Sequence, residues 1–248
     1  MAKTDWKSFW SSYRKKEVRS EEDLYLEVGK TVNQRPISSE AFQLTIDSII
    51  EALNLSQEDR LLELCCGNGL MTRRLAPLVA RIQAVDFAEH LIGHAQDLEP
   101  PENVTYICAD AADYLQQIEK TRAYVPTKVL LGDALGYFDP DSLYEMLRRI
   151  INLTNNSFVF LATSIPCDEL KWSFYDTPER VRRYKKNQLL PGNTNDGVGR
   201  WWKKDELEQV GRRLDLKVGL RELPPLLSAF RIDAVFVSGR QVVQRAAN

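Results

Sequence analysis

Short apolar runs alternate with amphipathic stretches through the middle of the chain. The predicted strands are 60–65, 81–86, 103–108, 127–132 and 157–162, and the predicted helices between them are 70–79, 89–98, 111–119 and 141–151. Strands that alternate with helices are joined by right-handed crossovers into a parallel sheet. The pattern therefore predicts an α/β fold in which helices cover both faces of the sheet.

The pattern changes towards the C-terminus. A helical stretch at 203–215 precedes two strand-like runs at 216–223 and 229–239, which a short Pro-containing connection joins. A connection of this length cannot form a crossover, so it favours an antiparallel pair. The whole pattern predicts a doubly wound, mostly parallel seven-stranded sheet that ends in a C-terminal antiparallel hairpin.

Two segments fall outside this alternation. The N-terminal 57 residues form a predicted helical leader, whose best amphipathic pattern begins at Ser38 or Ser39, both suitable N-cap residues. The segment from Pro166 to Trp202 is too long for an ordinary loop and predicts a lid with some helix of its own. We therefore expect a leader or cap at 1–57, a core at 58–165 and 203–248, and a lid insertion at 166–202.

The amino-acid composition excludes few classes of protein. The chain has 248 residues, of which 44% are hydrophobic and 27% charged, and a net charge of -2 gives no general attraction to nucleic acid or anionic membranes. We find no apolar run of about 18 residues and no apolar N-terminal signal region, so we expect a cytoplasmic protein. The four cysteines show no C-x-x-C spacing, and we expect them to be reduced thiols.

The stretch LLELCCGNGL carries the first sign of chemistry. Gly67 and Gly69 lie between a predicted strand and a helix, where a ligand can approach the backbone closely. Thr72 occupies the place of the third glycine of a dinucleotide-binding loop, which disfavours a nicotinamide oxidoreductase. Glu63 would repel a pyrophosphate and attract a ligand with positive charge. S-adenosylmethionine, with a sulfonium and an ammonium group, is such a ligand.

Two more carboxylates follow at the ends of the next strands. Asp86 ends the second strand, where an acidic side chain can hold the two hydroxyl groups of a ribose. Asp110 follows the third strand and can accept a hydrogen bond from the amine of an adenine. Helix capping by Asp86 and core packing by Phe87 are the plainer alternatives for each residue taken alone. The shared register of these acidic residues with Glu63 favours a common ligand site.

Four stretches together resemble the motifs of the class I S-adenosylmethionine-dependent methyltransferases. They are LLELCCGNGLMTRRLA, AVDFAEHLIGHA, VTYICADAADY and VLLGDALGYF, in the family's order, and they span roughly residues 58–165. The resemblance implies a Rossmann-like fold, S-adenosylmethionine as cofactor and S-adenosylhomocysteine as product. Cys65 departs from the family, because many members have glycine there.

Carried over residue by residue, the resemblance places the methionine end of the cofactor at Glu63, Cys65 and Gly67 and its ribose at Asp86. Lys30 and Arg35 of the leader are candidates to meet the methionine carboxylate, with solvated basic residues as the alternative. The complete predicted cofactor site is Lys30, Arg35, Glu63, Cys65, Gly67, Gly69, Asp86, Phe87, Leu91, Asp110, Ala111 and Gly132.

The methyl acceptor should lie beyond the carboxyl edge of the sheet, near the fourth strand, the lid and the final hairpin. The catalytic candidates there are Asp133, Tyr137, Asp168 and Arg231, of which Arg231 could bind a carboxylate or phosphate of the acceptor. The D/N-P-P-Y/F motif of amino-directed methylases is absent, which favours a small molecule. Scattered residues of the C-terminal half are also similar to a bacterial branch associated with surface-polysaccharide or specialised-metabolite pathways, which implies O-methylation of a sugar-like or other polar hydroxyl.

Other functions stay open. The basic lid and the Trp201–Trp202 pair could serve an RNA methyltransferase by stacking on nucleobases, although a solvated basic helix face is the plainer interpretation. The domain could also bind cofactor without catalysing transfer. His90 and His94 lie four residues apart without a third metal ligand nearby, so we expect no metal site.

Overall fold

The computed structural model describes residues 5–13, 20–32, 35–188 and 198–238, and its centre is a seven-stranded sheet. Its strands are β3 (Arg60–Leu64), β4 (Arg81–Asp86), β5 (Val104–Cys108), β6 (Lys128–Leu131), β7 (Val159–Pro166), β8 (Leu216–Glu222) and β9 (Arg231–Ser238). They lie in the order β5-β4-β3-β6-β7-β9-β8, and β1 (Thr31–Val32) pairs with β2 (Arg35–Pro36) in a separate short hairpin. The first five strands of the large sheet are parallel, and β9 is antiparallel to both of its neighbours. The Rossmann-like fold predicted from the sequence is confirmed.

The described ranges contain helices on both faces of the sheet and at its carboxyl edge. They are α1 (Trp6–Ser12), α2 (Glu21–Glu27), α3 (Ser39–Leu53), α4 (Leu70–Leu75), α5 (Glu89–Asp97), α6 (Ala111–Thr121), α7 (Pro140–Thr154), α8 (Pro178–Gln188) and α9 (Lys204–Arg213). Ser38 is the N-cap of α3, and its hydroxyl accepts a hydrogen bond from the Ala41 N–H at 3.1 Å. Helix α4 is shorter than predicted, because a 3₁₀ turn that contains Pro77 follows it at Ala76–Leu78. Among the described helices, none has both the length and the apolar character needed to cross a bilayer.

Two hydrophobic layers hold the sheet. Strand side chains alternate between them, so that Leu61 packs with α2, α3, α4 and α5 while Leu62 and Leu64 pack with α6, α7 and α9. Helix α3 belongs to the predicted leader, yet its residues Phe42 and Ile46 are part of the core beside the sheet. The leader therefore supplies one of the helices that cover this face.

The lid is anchored to the core at its C-terminal end. Trp202 is fully buried, and its indole N–H donates to the Leu135 carbonyl at 3.0 Å. The possible nucleobase-stacking role for Trp202 is therefore wrong, because no part of this ring reaches solvent. The other described parts of the lid are a 3₁₀ helix at Asp168–Ser173 and α8, which carries Lys185 and Lys186 in its last turn.

Candidate functional site

A cavity lies at the carboxyl ends of the parallel strands, where the doubly wound fold places ligands. The sequence-predicted residues that line it are Lys30, Cys65, Gly67, Asp86, Phe87, Leu91, Asp110, Ala111, Gly132, Asp133 and Tyr137. The empty space among its walls, including the part that is open to solvent, is about 1010 Å³. We call it the inner cavity.

The glycine loop forms the floor of the inner cavity through an unusual backbone. Cys65, Gly67 and Gly69 all have left-handed φ values of 59°, 56° and 72°. A side chain at Gly67 would meet Val28 Cγ1 at 2.8 Å, so this turn requires glycine on both conformational and steric grounds. Gly69 begins α4 and faces Tyr106 rather than the cavity, since an added Cβ would lie 2.3 Å from the Tyr106 hydroxyl.

Asp86 fixes this loop from the neighbouring strand. Its Oδ2 accepts the Gly67 N–H and its Oδ1 accepts the Ala88 N–H, both at 2.9 Å. Burial raises the pKa of this carboxyl, although the two backbone donors act in the opposite direction. A carboxylate has about four acceptor sites, so Asp86 can receive ligand hydroxyls as well as these two N–H groups.

Asp110 lies at the other end of the inner cavity. Its Oδ1 caps α6 by accepting from Ala112 and Asp113 N–H groups at 2.9 and 3.3 Å, and its Oδ2 pairs with Lys7 at 2.9 Å. Burial alone would raise the pKa of Asp110, but the hydrogen bond from Lys7 and the helix N–H groups lower it. The group is therefore a charged acceptor at neutral pH.

Helix α1 crosses the inner cavity; it lies within the predicted helical leader, but sequence reasoning placed none of its residues at the site. The Trp6 ring lies 4.6 Å and the Trp10 ring 5.7 Å from the Tyr137 ring, measured between centroids, and Lys7 bonds Asp110. Trp6, Lys7 and Trp10 all line the cavity. The aromatic spacing of Trp6 and Trp10, one helical turn apart, was the available signal.

Several predicted residues do not lie on the inner cavity wall. Glu63 is fully buried behind the loop, where its Oε2 accepts from Thr72 Oγ1 at 2.6 Å, and it does not line the inner cavity. Arg35 is exposed on β2, and Gly69 is turned towards Tyr106. Sequence spacing placed these residues near the site but could not give the direction of their side chains.

Asn68 is a second residue that sequence reasoning missed. It is fully buried and lines the inner cavity, and its amide donates to Leu24 O at 3.0 Å and to Glu27 Oε2 at 2.9 Å. Glu27 in turn contacts His94 Nδ1 at 2.6 Å, which gives that histidine a structural partner. Asn68 Oδ1 is buried without a partner among the described residues. A ligand with N–H donors, such as the ammonium group of S-adenosylmethionine, suits this acceptor.

Comparisons with known proteins agree with this geometry. Residues 61–157 match the family model described as a methyltransferase domain. Residues 61–157 thus form a methyltransferase domain. This range contains the glycine loop, Asp86 and Asp110, so the family and cofactor predicted from the sequence are confirmed.

One relative of the methyltransferase domain is the malonyl-[acyl-carrier protein] O-methyltransferase of Bacillus cereus. It is 29% identical over 153 residues, which are 61% of this chain and 52% of the relative. The chain thus spans about half the length of that protein.

Solved structures share the fold at low identity. The cyclopropane synthase MmaA2 from Mycobacterium tuberculosis is 12% identical with a TM-score of 0.66, over 95% of this chain and 99% of that one. The magnesium protoporphyrin IX methyltransferase from Synechocystis, crystallised with S-adenosylhomocysteine, is 16% identical with a TM-score of 0.55, over 95% of both chains. Both likenesses extend the fold beyond residues 61–157.

A second cavity, the outer cleft, adjoins the methyltransferase domain's inner cavity. The two share Trp10, Val28, Lys30, Asp133 and Tyr137. Lys30 Nζ and Asp133 Oδ2 form an ion pair of 2.5 Å at this boundary. Burial would raise the pKa of Asp133, but the charge and hydrogen bond of Lys30 lower it, whereas burial raises the pKa of Tyr137 to about 12. The boundary thus carries an ionised carboxylate and a neutral phenol.

The other two catalytic candidates lie apart from the inner cavity. Arg231 lines the outer cleft and donates to Ser164 O at 2.8 Å. Asp168 borders neither cavity and pairs with Lys171 at 2.8 Å. The structure therefore brings Asp133, Tyr137 and Arg231 to the outer cleft and leaves Asp168 outside it.

A bulge in β7 shapes the floor of the outer cleft. The pairing of β7 with β9 shifts between Ala162 and Ile165, and Ser164 has a left-handed φ of 55°. The Ser164 N–H turns to the buried Asp233 carboxylate at 2.9 Å, and its carbonyl receives Arg231. Bulges beside ligand sites redirect side chains in this way.

The thiols of the adjacent cysteines are not suited to act as nucleophiles. Burial raises the pKa of the Cys65 and Cys66 thiols well above the ordinary value, and nearby carboxylates add to the effect. A thiol with a raised pKa stays protonated and is a poor nucleophile. The four cysteines, all within the described residues, form no disulfide.

Proposed function

We propose that this protein transfers the methyl group of S-adenosylmethionine to an oxygen of a small polar molecule bound in the outer cleft. The observation that carries the proposal is the shared boundary of the two cavities at Lys30, Asp133 and Tyr137. A cofactor in the inner cavity and an acceptor in the outer cleft would meet there. Methyl transfer requires this approach and the exclusion of water.

The residues of the inner cavity fit the cofactor. Asp86 would hold the ribose and Asp110 the adenine amine, while the apolar walls at Phe87 and Leu91 suit a flat ring. Asn68 Oδ1 offers an acceptor to the ammonium group. When bound, S-adenosylmethionine supplies an electrophilic methyl group on a sulfonium.

The residues at the boundary would orient the acceptor. The ionised Asp133 can accept a hydrogen bond from an acceptor hydroxyl, and Lys30 fixes the position of the carboxylate. Tyr137 keeps its proton and can donate to a second oxygen. Trp6 and Trp10 of α1 cover the boundary from the other side and keep water away.

We infer an oxygen acceptor of the sugar-like or specialised-metabolite kind. A polar boundary with one acceptor and one donor suits a hydroxyl-bearing molecule, and the Bacillus cereus relative is an O-methyltransferase by name. We propose no nucleic-acid substrate, because the Trp202 ring is buried and the Trp201 ring packs on Phe174 and Phe230.

Calorimetry of cofactor binding tests the proposal. The wild-type protein should bind S-adenosylhomocysteine, and Asp86→Asn should weaken binding by about 1–3 kcal/mol, because it replaces a charged acceptor of the ribose hydroxyls. Asp97→Asn changes an exposed carboxylate at the end of α5 and serves as the matched control. Absence of binding by the wild-type protein would contradict the proposed function, and unchanged affinity in Asp86→Asn would contradict the ribose assignment.

A further inference from the structure

One wall of the outer cleft is built from two arginine–phenylalanine pairs. The Arg180 guanidinium lies 5.5 Å from the Phe174 ring centroid, and the Arg231 guanidinium lies 5.2 Å from the Phe230 centroid. The two phenylalanine rings contact each other at 4.8 Å between centroids, and all four residues line the cleft. We call these four residues the arginine–phenylalanine wall.

The wall is assembled from distant segments and held from behind. Phe174 and Arg180 belong to the lid, whereas Phe230 and Arg231 lie at the start of β9. Trp201 packs against both phenylalanine rings, with centroids 5.9 and 5.8 Å away. The rings are therefore fixed by a third aromatic residue, which makes them a preformed apolar surface.

The charges in the outer cleft are unbalanced at Arg231. Asp133 is paired with Lys30 at 2.5 Å, and Asp233 accepts the Ser164 N–H and lies 3.5 Å from Arg221. Arg231 donates one hydrogen bond to the Ser164 carbonyl and makes no ion pair with a described carboxylate. A guanidinium has five N–H donors, so most of its capacity is available to a ligand.

Arg180 differs from Arg231 in this respect. It pairs with Asp176 at 2.8 Å and donates to the Phe174 carbonyl at 3.1 Å, which places it at the rim with a carboxylate of its own. Arg231 is half-buried beside Phe230, where an opposite charge is screened less by water. Arg231, which forms no ion pair with a described carboxylate, is therefore the arginine of the wall that is available to bind an anion.

We propose that the methyl acceptor is an anionic molecule, whose carboxylate or phosphate group binds Arg231 while its carbon skeleton packs on Phe174 and Phe230. The guanidinium fork matches both groups, because each presents two oxygens to two N–H donors. The inference rests on the proposed function, since it takes the outer cleft as the acceptor site. It assigns Arg231 the role of selecting the acceptor by its charge, whereas the Lys30–Asp133 pair at the boundary orients the acceptor hydroxyl.

The test compares anions with neutral analogues of the same shape. Calorimetric titrations into protein saturated with S-adenosylhomocysteine would use para-hydroxybenzoate against para-hydroxybenzamide, and phenyl phosphate against phenol. In at least one pair the anion should bind at least about tenfold more tightly than the neutral analogue. The pair that shows the preference distinguishes a carboxylate acceptor from a phosphate acceptor.

Variants connect the preference to Arg231. Arg231→Gln should reduce the ratio of anion affinity to neutral-analogue affinity to near unity. Arg231→Lys should retain part of the preference, because lysine keeps the charge but lacks the two-pronged geometry of the guanidinium. Arg148→Gln, which removes a charge from α7 outside both cavities, should leave the preference unchanged. Binding of S-adenosylhomocysteine by each variant is measured first and shows that the variant is folded.

The outcomes separate this inference from the proposed function. If S-adenosylhomocysteine binds but neither anion is preferred, or if neither anion binds, the inference is wrong and the proposed function stands. A preference that survives Arg231→Gln would also overturn the inference. If the wild-type protein does not bind S-adenosylhomocysteine, the proposed function itself is contradicted.

Discussion

Glu63 shows how a single buried carboxylate can influence the site without lining it. Its Oε2 accepts from Thr72, and its Oε1 is buried without a partner among the described residues. Burial raises its pKa from 4.5 to about 7, and the Thr72 hydrogen bond and the charge of Lys30 only partly oppose this. The side chain therefore gains or loses a proton near neutral pH, directly behind the glycine loop.

Stability should depend on pH through Glu63. The folded chain keeps a proton on this group that the unfolded chain has released, so stability should fall as the pH rises from 4.5 to about 7. The full loss is about 3 kcal/mol, and Glu63→Gln should remove this dependence because glutamine does not titrate. Urea unfolding at about pH 5 and pH 8 measures both slopes. Glu58→Gln, at an exposed position, is the control, and equal slopes in wild type and Glu63→Gln would contradict the assignment.

Cys65 shows what the sequence could and could not reveal at this scale. The motif and its order identified the cofactor loop, and the family's glycine at this position marked Cys65 as a departure. Only the structure gives the reason for glycine, which is the left-handed φ of 59°. Backbone strain of this kind depends on how the loop closes against Asp86 and Val28, and no local pattern encodes it.

At the scale of elements, periodicity predicted the regular parts and missed the short ones. Each predicted strand of the large sheet is present, because an apolar run bounded by turn residues can be identified from local sequence alone. Helix α1 has seven residues, too few for a reliable period, and its position depends on Asp110 and Tyr137, more than 100 residues away in sequence. The hairpin of β1 and β2 was missed for the same reason, since two-residue strands carry no pattern.

Helix α1 should control how fast the cofactor leaves. Trp6→Ala removes the ring that packs on Tyr137 over the inner cavity, so S-adenosylhomocysteine should dissociate faster, on the order of tenfold. Stopped-flow displacement measures this rate. Trp172→Ala removes an exposed lid tryptophan that lines neither cavity and is the matched control. An unchanged dissociation rate in Trp6→Ala would show that α1 does not retain the ligand.

At the scale of the whole molecule, the lid and the sheet form one unit through Trp202. The ring is fully buried, its N–H donates to the Leu135 carbonyl, and its backbone N–H donates to the Pro166 carbonyl at 2.8 Å. The sequence indicated an aromatic pair in a basic segment but could not say which ring turns inward. Trp201 faces the aromatic cluster of the outer cleft instead.

Replacement of Trp202 should destabilise the whole protein. Trp202→Phe removes one of the two donors to the Leu135 carbonyl, leaving the Phe138 N–H, and opens space in the core, so we expect a loss of about 2–4 kcal/mol in the free energy of unfolding. Trp201→Phe changes a half-buried ring whose indole makes no hydrogen bond to a described residue, and it should cost less than half as much. Urea unfolding of the two variants checks the difference, and equal losses would contradict the anchoring role.

The strand order has a consequence for synthesis on the ribosome. Strand β8 reaches the sheet only through β9, which is made after it and inserts between β8 and β7. The inner cavity is built from residues that emerge before the lid, whereas Arg231 and Asp233 arrive with the last strand of the sheet. Under the proposed function, the residues that would bind the cofactor are therefore synthesised before Arg231, the residue that would select the acceptor.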